Sequence, residues 1–205
     1  MARPRSFDEE TVLTAAMHAF RRHGYAGASV SVLEDATGLR ASSLYNAYGD
    51  KAGLYRRALD HYLSSFVGPR LTAYAGSEAT VEDLEGLFLS LLVPPYDDGQ
   101  GCLVTNSAAE FGSAPSIATD GVRAGVETVR RHAEDVLRRE LGPEAAATTA
   151  ARVVLLYQGF LVLGRAGLLG DDHVAAIRDE FAELRARRAL HRPLRPEEQS
   201  QRSSR

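Results

Sequence analysis

The chain has 205 residues, 44% of them hydrophobic and 25% charged, with a formal net charge of −3. That size and balance fit one or two small globular domains and exclude a polycation or a bulk-disordered chain. Residues 1–66 carry +1 and the remainder −4, an asymmetry that permits nucleic-acid binding without arguing for it. The single cysteine, Cys102, rules out a disulfide framework within the chain and fits a reducing cytoplasm. The longest apolar stretch, Val153 to Leu163, is interrupted by Gln158 and falls short of the ~18 apolar residues of a membrane span, so no membrane partner is expected. Arg3 and Arg5 lead into acidic residues rather than an apolar run, so no signal peptide is expected either.

Taken in order, the chain reads as helix after helix. Ser6-Phe7-Asp8-Glu9 has the form of a capping box, with Ser6 as N-cap. Val12, Ala15, Ala16, Ala19 and Phe20 follow at helical spacing, and Gly24 lies just past the basic end. Ser29 caps a short helix ending near Thr37, and Gly38 supplies the tight corner between helices. A second short helix spans about Ala41 to Tyr48, with Leu33, Ala36, Leu39 and Leu44 as its core partners. Asp50 caps the next helix, which runs to about Ser65 before Gly68-Pro69. Thr80-Val81-Glu82-Asp83 opens another, carrying Leu84, Leu87, Phe88, Leu91 and Leu92. Residues 94–101 read as a loop. Helical patterns resume over Cys102–Phe111, Ser116–Leu141, Pro143–Ala166 and Asp172–Ala189, and a proline-containing polar tail from Arg192 is expected to be disordered.

The stretch Gly38-Leu39-Arg40-Ala41-Ser42-Ser43-Leu44-Tyr45-Asn46-Ala47-Tyr48-Gly49-Asp50-Lys51 resembles the second half of the DNA-binding domain of the TetR (tetracycline-repressor) family of transcriptional regulators. The likeness extends over about Ser6 to Tyr62. It implies an all-α fold of about nine helices. A three-helix N-terminal helix-turn-helix domain (1–66) would precede a C-terminal helical ligand-binding and dimerisation domain (67–191) and a tail (192–205). It also implies a sequence-specific, cytoplasmic bacterial repressor, released from a palindromic double-stranded operator by a small-molecule effector.

The residues suit that chemistry. A helix enters the major groove only if its outer side chains are short or bond base edges. Ser42, Ser43 and Asn46 do both, Arg40 can reach guanine or phosphate, and Tyr45 offers a hydroxyl to phosphate. Lys51, the only lysine among 24 basic residues, stands in the first turn of a helix, where free amides already favour an anion. The resemblance adds Val30 and Ser31, and Ala41 lies on the same helix start. Tyr48 reads as a core aromatic, and Arg56 and Arg57 as a solvated face. Two positions depart from the family pattern. Arg40 stands where Ser or Thr often caps, and Glu34 stands four residues before Gly38, where Ala is preferred; its carboxylate is expected to point outward.

For the second half, the resemblance implies a homodimer through the last two long helices, with Val153, Leu156, Val174, Ile177, Phe181 and Leu184 at the interface. It implies an effector pocket among the middle helices, with Leu84, Phe88, Leu91, Asn106, Phe111, Tyr157 and Phe160 as candidates. Cys102, in a Gly-Cys-Leu…Asn stretch similar to that of a TetR subgroup with electrophile-responsive members, adds a thiol at a helix N-terminus; a small buried hydrophobe is the alternative.

Two other classes stay open. An enzyme would use Cys102 as nucleophile with His132, His173 or His191 as base, but no catalytic, metal-ligand or cofactor motif stands at its proper spacing. A helical binding protein without DNA affinity would leave the Gly38 corner, Tyr45 and Lys51 unexplained.

Overall fold

The computed structural model describes residues 7–191, whose regular structure is all helical, with no strand among them. Helix α1 (Glu9–Gly27) starts from Asp8, whose carboxylate accepts the Thr11 amide at 3.1 Å. The cap is therefore Asp8 rather than Ser6, which lies outside the described residues, as does the tail expected from Arg192. An acidic cap followed by Glu9 and Glu10 suits the positive helix end. Gly24 does interrupt α1: its φ of 70° opens a short second segment, Tyr25 to Gly27.

Helices α2 (Val30–Thr37) and α3 (Ala41–Tyr48) make the corner expected around Gly38, which sits in the left-handed region at φ 68°, ψ 10°. Ser29 caps α2 through the Val32 amide, and Asp50 caps α4 (Lys51–Tyr62) through the Gly53 amide at 2.6 Å. The break expected at Gly68-Pro69 does not occur. A π-helical turn over Leu63–Val67 carries α4 directly into α5 (Gly68–Ala75). Proline has no amide to donate and crowds the carbonyl four residues back; a wider turn relieves both problems.

The second half is built from α6 (Val81–Leu89), α7 (Leu103–Phe111), α8 (Thr119–Leu141), α9 (Pro143–Arg165) and α10 (Asp171–His191). Counting α4 and α5 as one rod, the described residues form nine helices, with a 3-10 turn after α6. Thr80 and Asp83 make a capping box at the expected start of α6. A short loop at 93–102 connects to α7.

Two hydrophobic cores result. The first joins α1–α4 around Met17, Phe20, Leu33, Leu44, Leu54 and Tyr55, and takes in Leu103 and Val104 of α7. Ala36, expected there, is exposed, and Leu39 is only half-buried. The second centres on Phe88, which meets Tyr157, Phe160 and Phe181 edge-on at 5.3–5.9 Å. Helix α9 is, by length and composition, apolar enough to cross a membrane, and 44% of that span is buried among the other helices. It escapes a search for unbroken apolar runs because Gln158 and Gly159 interrupt it.

Candidate nucleic-acid interface and effector cavity

Helix α3 buries Leu44 and turns Ser42, Ser43 and Asn46 to solvent, with Ala41 and Tyr45 half-exposed. Arg40 has the extended backbone of an N-cap but its side chain caps nothing. The missing cap comes from elsewhere: the Glu34 carboxylate accepts the Ala41 amide at 2.7 Å. Glu34 thus points at α3 rather than outward. One contact accounts for both departures: a carboxylate on α2 caps the helix, and Arg40 is left exposed beside it. Val30 and Ser31, at the start of α2, are also exposed. Lys51 lies at the first position of α4, its Nζ 4.7 Å from the centre of the Tyr25 ring, which holds the ammonium beside the free amides of that helix. Short polar groups on one helix, flanked by an arginine and a lysine, make a surface that can enter a groove and grip its edges.

Behind this unit lies a cavity of about 610 Å³. Leu87, Leu91, Val129, Tyr157, Phe160 and Leu161 supply much of its apolar wall. Cys102 lies on it as well, at the position preceding α7. Burial pushes the Tyr157 phenol up to about 12, against the opposing pull of Arg70, and pushes Tyr62 well above its ordinary value, with Cys102 adding to the rise. Neither phenol ionises near neutral pH, so both remain donors.

The cavity wall and the N-terminal unit share several residues, and Arg21 of α1 makes the most polar contacts among them. Its guanidinium forms a two-pronged pair with Asp98 at 2.9 and 3.0 Å and donates to the Gly101 carbonyl. The Arg21 carbonyl accepts in turn from Asn106 and from Arg165. A second joint lies nearby. After the Gly24 kink the Tyr25 and Ala26 amides have no helical partner, and Glu110 of α7 accepts both at 2.8 and 2.7 Å. Tyr55 of α4 bonds Ser107 of α7 in the buried space between.

The profile described as "Bacterial regulatory proteins, tetR family" matches residues 12–58. The HTH-type transcriptional repressor ComR of Escherichia coli K12 is 26% identical over 174 residues, 80% of this chain and 83% of that one. The repressor BdcR of the same strain is 40% identical over 63 residues, 31% of this chain and 32% of its own. Among solved structures, a cysteine-substituted form of the TetR family regulator CifR, complexed with 26-bp operator DNA, superposes with a TM-score of 0.72 at 27% identity, covering 88% of this chain and 98% of that one. Residues 12–58 form a TetR-type DNA-binding domain, and the chain as a whole is similar to TetR-family regulators. It is a DNA-binding regulator, with the helix-turn-helix in α2 and α3.

Within this TetR-type frame the candidates for the second half divide. Leu91, Cys102, Tyr157 and Phe160 line the cavity. Leu84 and Phe88 do not; both are fully buried in the core of α6, α8, α9 and α10. Phe111 packs instead on Tyr25 and Tyr55 at 5.5 and 5.7 Å, and Asn106 ties the Gln100 carbonyl to that of Arg21. Sequence reasoning missed His18, Arg21, Tyr62, Arg70 and Gln158 on the cavity wall; all are polar or read as core, and only the tertiary arrangement turns them inward.

The dimer candidates need a larger correction. Val153, Ile177, Phe181 and Leu184 are at most 5% exposed within the single chain, so they leave almost no surface for a partner. Leu156 and Val174 are half-buried. The apolar residues that α9 leaves outside are Leu155, 74% exposed, and Val162, 52% exposed. For the enzyme alternative, His132 bonds the Thr128 carbonyl and His173 the Gly170 amide, and neither is hydrogen-bonded to Cys102. The His191 side chain is outside the described set. No cluster of three or more metal-ligating side chains occurs among the described residues.

Proposed function

We propose that the protein is a homodimeric repressor that reads a palindromic operator and is released from it by a small molecule held in the cavity. The observation that carries this reading is Arg21, which belongs at once to the helix supporting α2 and α3 and to the wall of a cavity large enough for a small-molecule effector. A ligand that fits one setting of the Asp98–Gly101 loop better than another changes the position of α1. It thereby changes operator affinity by its preference between the two settings. The boundary falls near residue 66, with 1–66 reading DNA, 67–191 holding the effector and the dimer contacts, and 192–205 as a tail. In the first of these, Asn46, Ser42, Ser43 and Arg40 contact base edges, with Ala41 lying close. Lys51, Tyr45, Val30 and Ser31 contact the backbone. One such unit reads too few base pairs for a genome, and a dimer doubles the site. The outer face of α9, around Leu155 and Val162, supports that contact. Repressors among the relatives, ComR and BdcR, support the direction of control. Such a regulator works in the bacterial cytoplasm, where a lone cysteine stays reduced.

The test is selection of bound sequences from a random duplex library at about 150 mM salt. The expected result is a palindrome with half-sites about one helical turn apart, ~34–36 Å, or modestly more. A folded protein that selects no motif would remove the operator-reading function.

A further inference from the structure

We propose that the cavity is built for an amphipathic anion, a carboxylate held by Arg70 on a hydrocarbon or aromatic body. This rests on reading the cavity as the effector site. Three guanidiniums reach its wall, from Arg21, Arg70 and Arg165. Arg21 is neutralised by Asp98. Arg165 gives Nη1 to the carbonyls of Arg21 and Gln100 at the loop end of the cavity.

Arg70 is different. Its Nε donates to the Ser90 hydroxyl at 3.0 Å and its Nη2 to the Leu87 carbonyl, both neutral acceptors. Among the described residues it forms no ion pair with any carboxylate, and its further polar contact is with the neutral Tyr157 hydroxyl. Its guanidinium lies 4.7 Å from the centre of the Tyr96 ring and 5.8 Å from that of Tyr157. A cation brought against apolar surface loses hydration, and aromatic faces return only part of that loss. The group is thus held by neutral partners only and offers its remaining N–H groups without a counter-ion. A carboxylate placed there would gain charge-assisted hydrogen bonds that no group of the protein supplies.

The rest of the wall agrees in sign. Among the described residues only Asp97 contributes a lining carboxylate, and it is exposed on the loop. Gln158 accepts from the Thr105 hydroxyl through Oε1, which leaves its amide to donate inward. Tyr157, protonated, can donate beside Arg70. Away from this corner, Leu71, Leu91, Val129, Phe160 and Leu161 provide the surface for the body. A cationic ligand would meet three guanidiniums, and a neutral one would leave Arg70 uncompensated.

Calorimetric titration of the full-length protein, without DNA, tests this with decanoate and 2-naphthoate against decan-1-ol, 2-naphthol and decylamine. The expected result is that at least one acid binds about tenfold or more tighter than its own alcohol, with the amine weakest. Arg70→Met should erase the preference for the acid and leave the alcohol within about threefold. Because Arg70 also braces Ser90 and Leu87, the acid-to-alcohol ratio of the unaltered protein is decisive alone. Equal binding of acid and alcohol, a preference for the amine, no binding of either acid, or a preference that survives Arg70→Met overturns the proposal. Operator affinity, measured separately with and without the bound acid, tests effector release. An acid that binds without weakening operator binding upholds the ligand class and counts against release.

Discussion

Glu34 caps a helix that is not its own. Four amides at a helix start lack intrahelical partners, and α3 presents an arginine where a hydroxyl or carboxylate would serve one of them. The Ala41 amide finds its acceptor seven residues upstream. Replacing Glu34 with Ala should cost about 1 kcal/mol, the ordinary worth of an N-cap, and Gln should cost roughly half of that, since it keeps the acceptor and loses the charge. Urea denaturation of the three proteins checks this; an unchanged midpoint for Glu34→Ala would show the contact to be idle. The same scale separates grip from reading. Lys51→Ala should weaken binding to all duplexes and reduce the salt slope by about one, because it removes one phosphate contact. Asn46→Ala should change which sequences are preferred by about 1–3 kcal/mol at one base pair. Binding titrations at several salt concentrations distinguish the two. A Lys51 variant with the slope of the parent would remove lysine from the phosphate contacts.

At the scale of elements, charge ties α6 to α10. Arg188 pairs with Glu82 at 2.7 Å and also with Glu140, and Arg185 pairs with Glu85. The hydrogen bond from Arg188 lowers the Glu82 carboxyl from 4.5 to about 2. A depressed carboxyl stabilises the fold above its unfolded value and loses that contribution as pH falls toward the folded one. The window here is therefore from pH 4.5 down to about 2. Glu82 is largely solvated, so the pair contributes less than about 1 kcal/mol. The stability gap between the parent and Arg188→Met should be small at pH 7 and narrow steadily below pH 4.5; a gap that widens there contradicts the assignment. This scale also shows what a sequence can carry. The caps at Ser29, Asp50 and Thr80 act within three residues, and each was legible. The cap from Glu110 to Tyr25 and Ala26 spans more than eighty residues, and the π turn before Pro69 joins two helices that a proline would ordinarily part. Neither leaves a local pattern. The helix-turn-helix residues were legible because their spacing is set by one short corner. The cavity was half-legible, because its wall draws single residues from many helices.

At the scale of the whole molecule, the unsolved face is that of α9. Periodicity marks apolar residues, but α9 is apolar on opposite sides, so spacing alone cannot tell its own core from a partner's. Val153 and Phe160 face inward, while Leu155, Gly159 and Val162 form an exposed stripe at spacings of four and three. On α10 the stripe of Ile177, Phe181 and Leu184 is spent on the core, which leaves Ala175, Ala182 and Ala186 outside. Alanines beside a glycine-containing apolar stripe allow helices to approach closely, and a two-fold axis through that face would bury Leu155 and Val162 of both copies. Leu155→Glu should then yield a folded monomer, with helical circular dichroism unchanged and the mass by light scattering halved. Operator affinity should fall by more than about tenfold, since each half-site would be bound alone. Val153→Glu, only two residues and about 200° round the helix from Leu155 but buried in the core, should instead lose the helical signal itself, because an unpaired charge there has no route to water. If Leu155→Glu remains dimeric, the contact lies on another surface, and the two reading helices are spaced by a different axis.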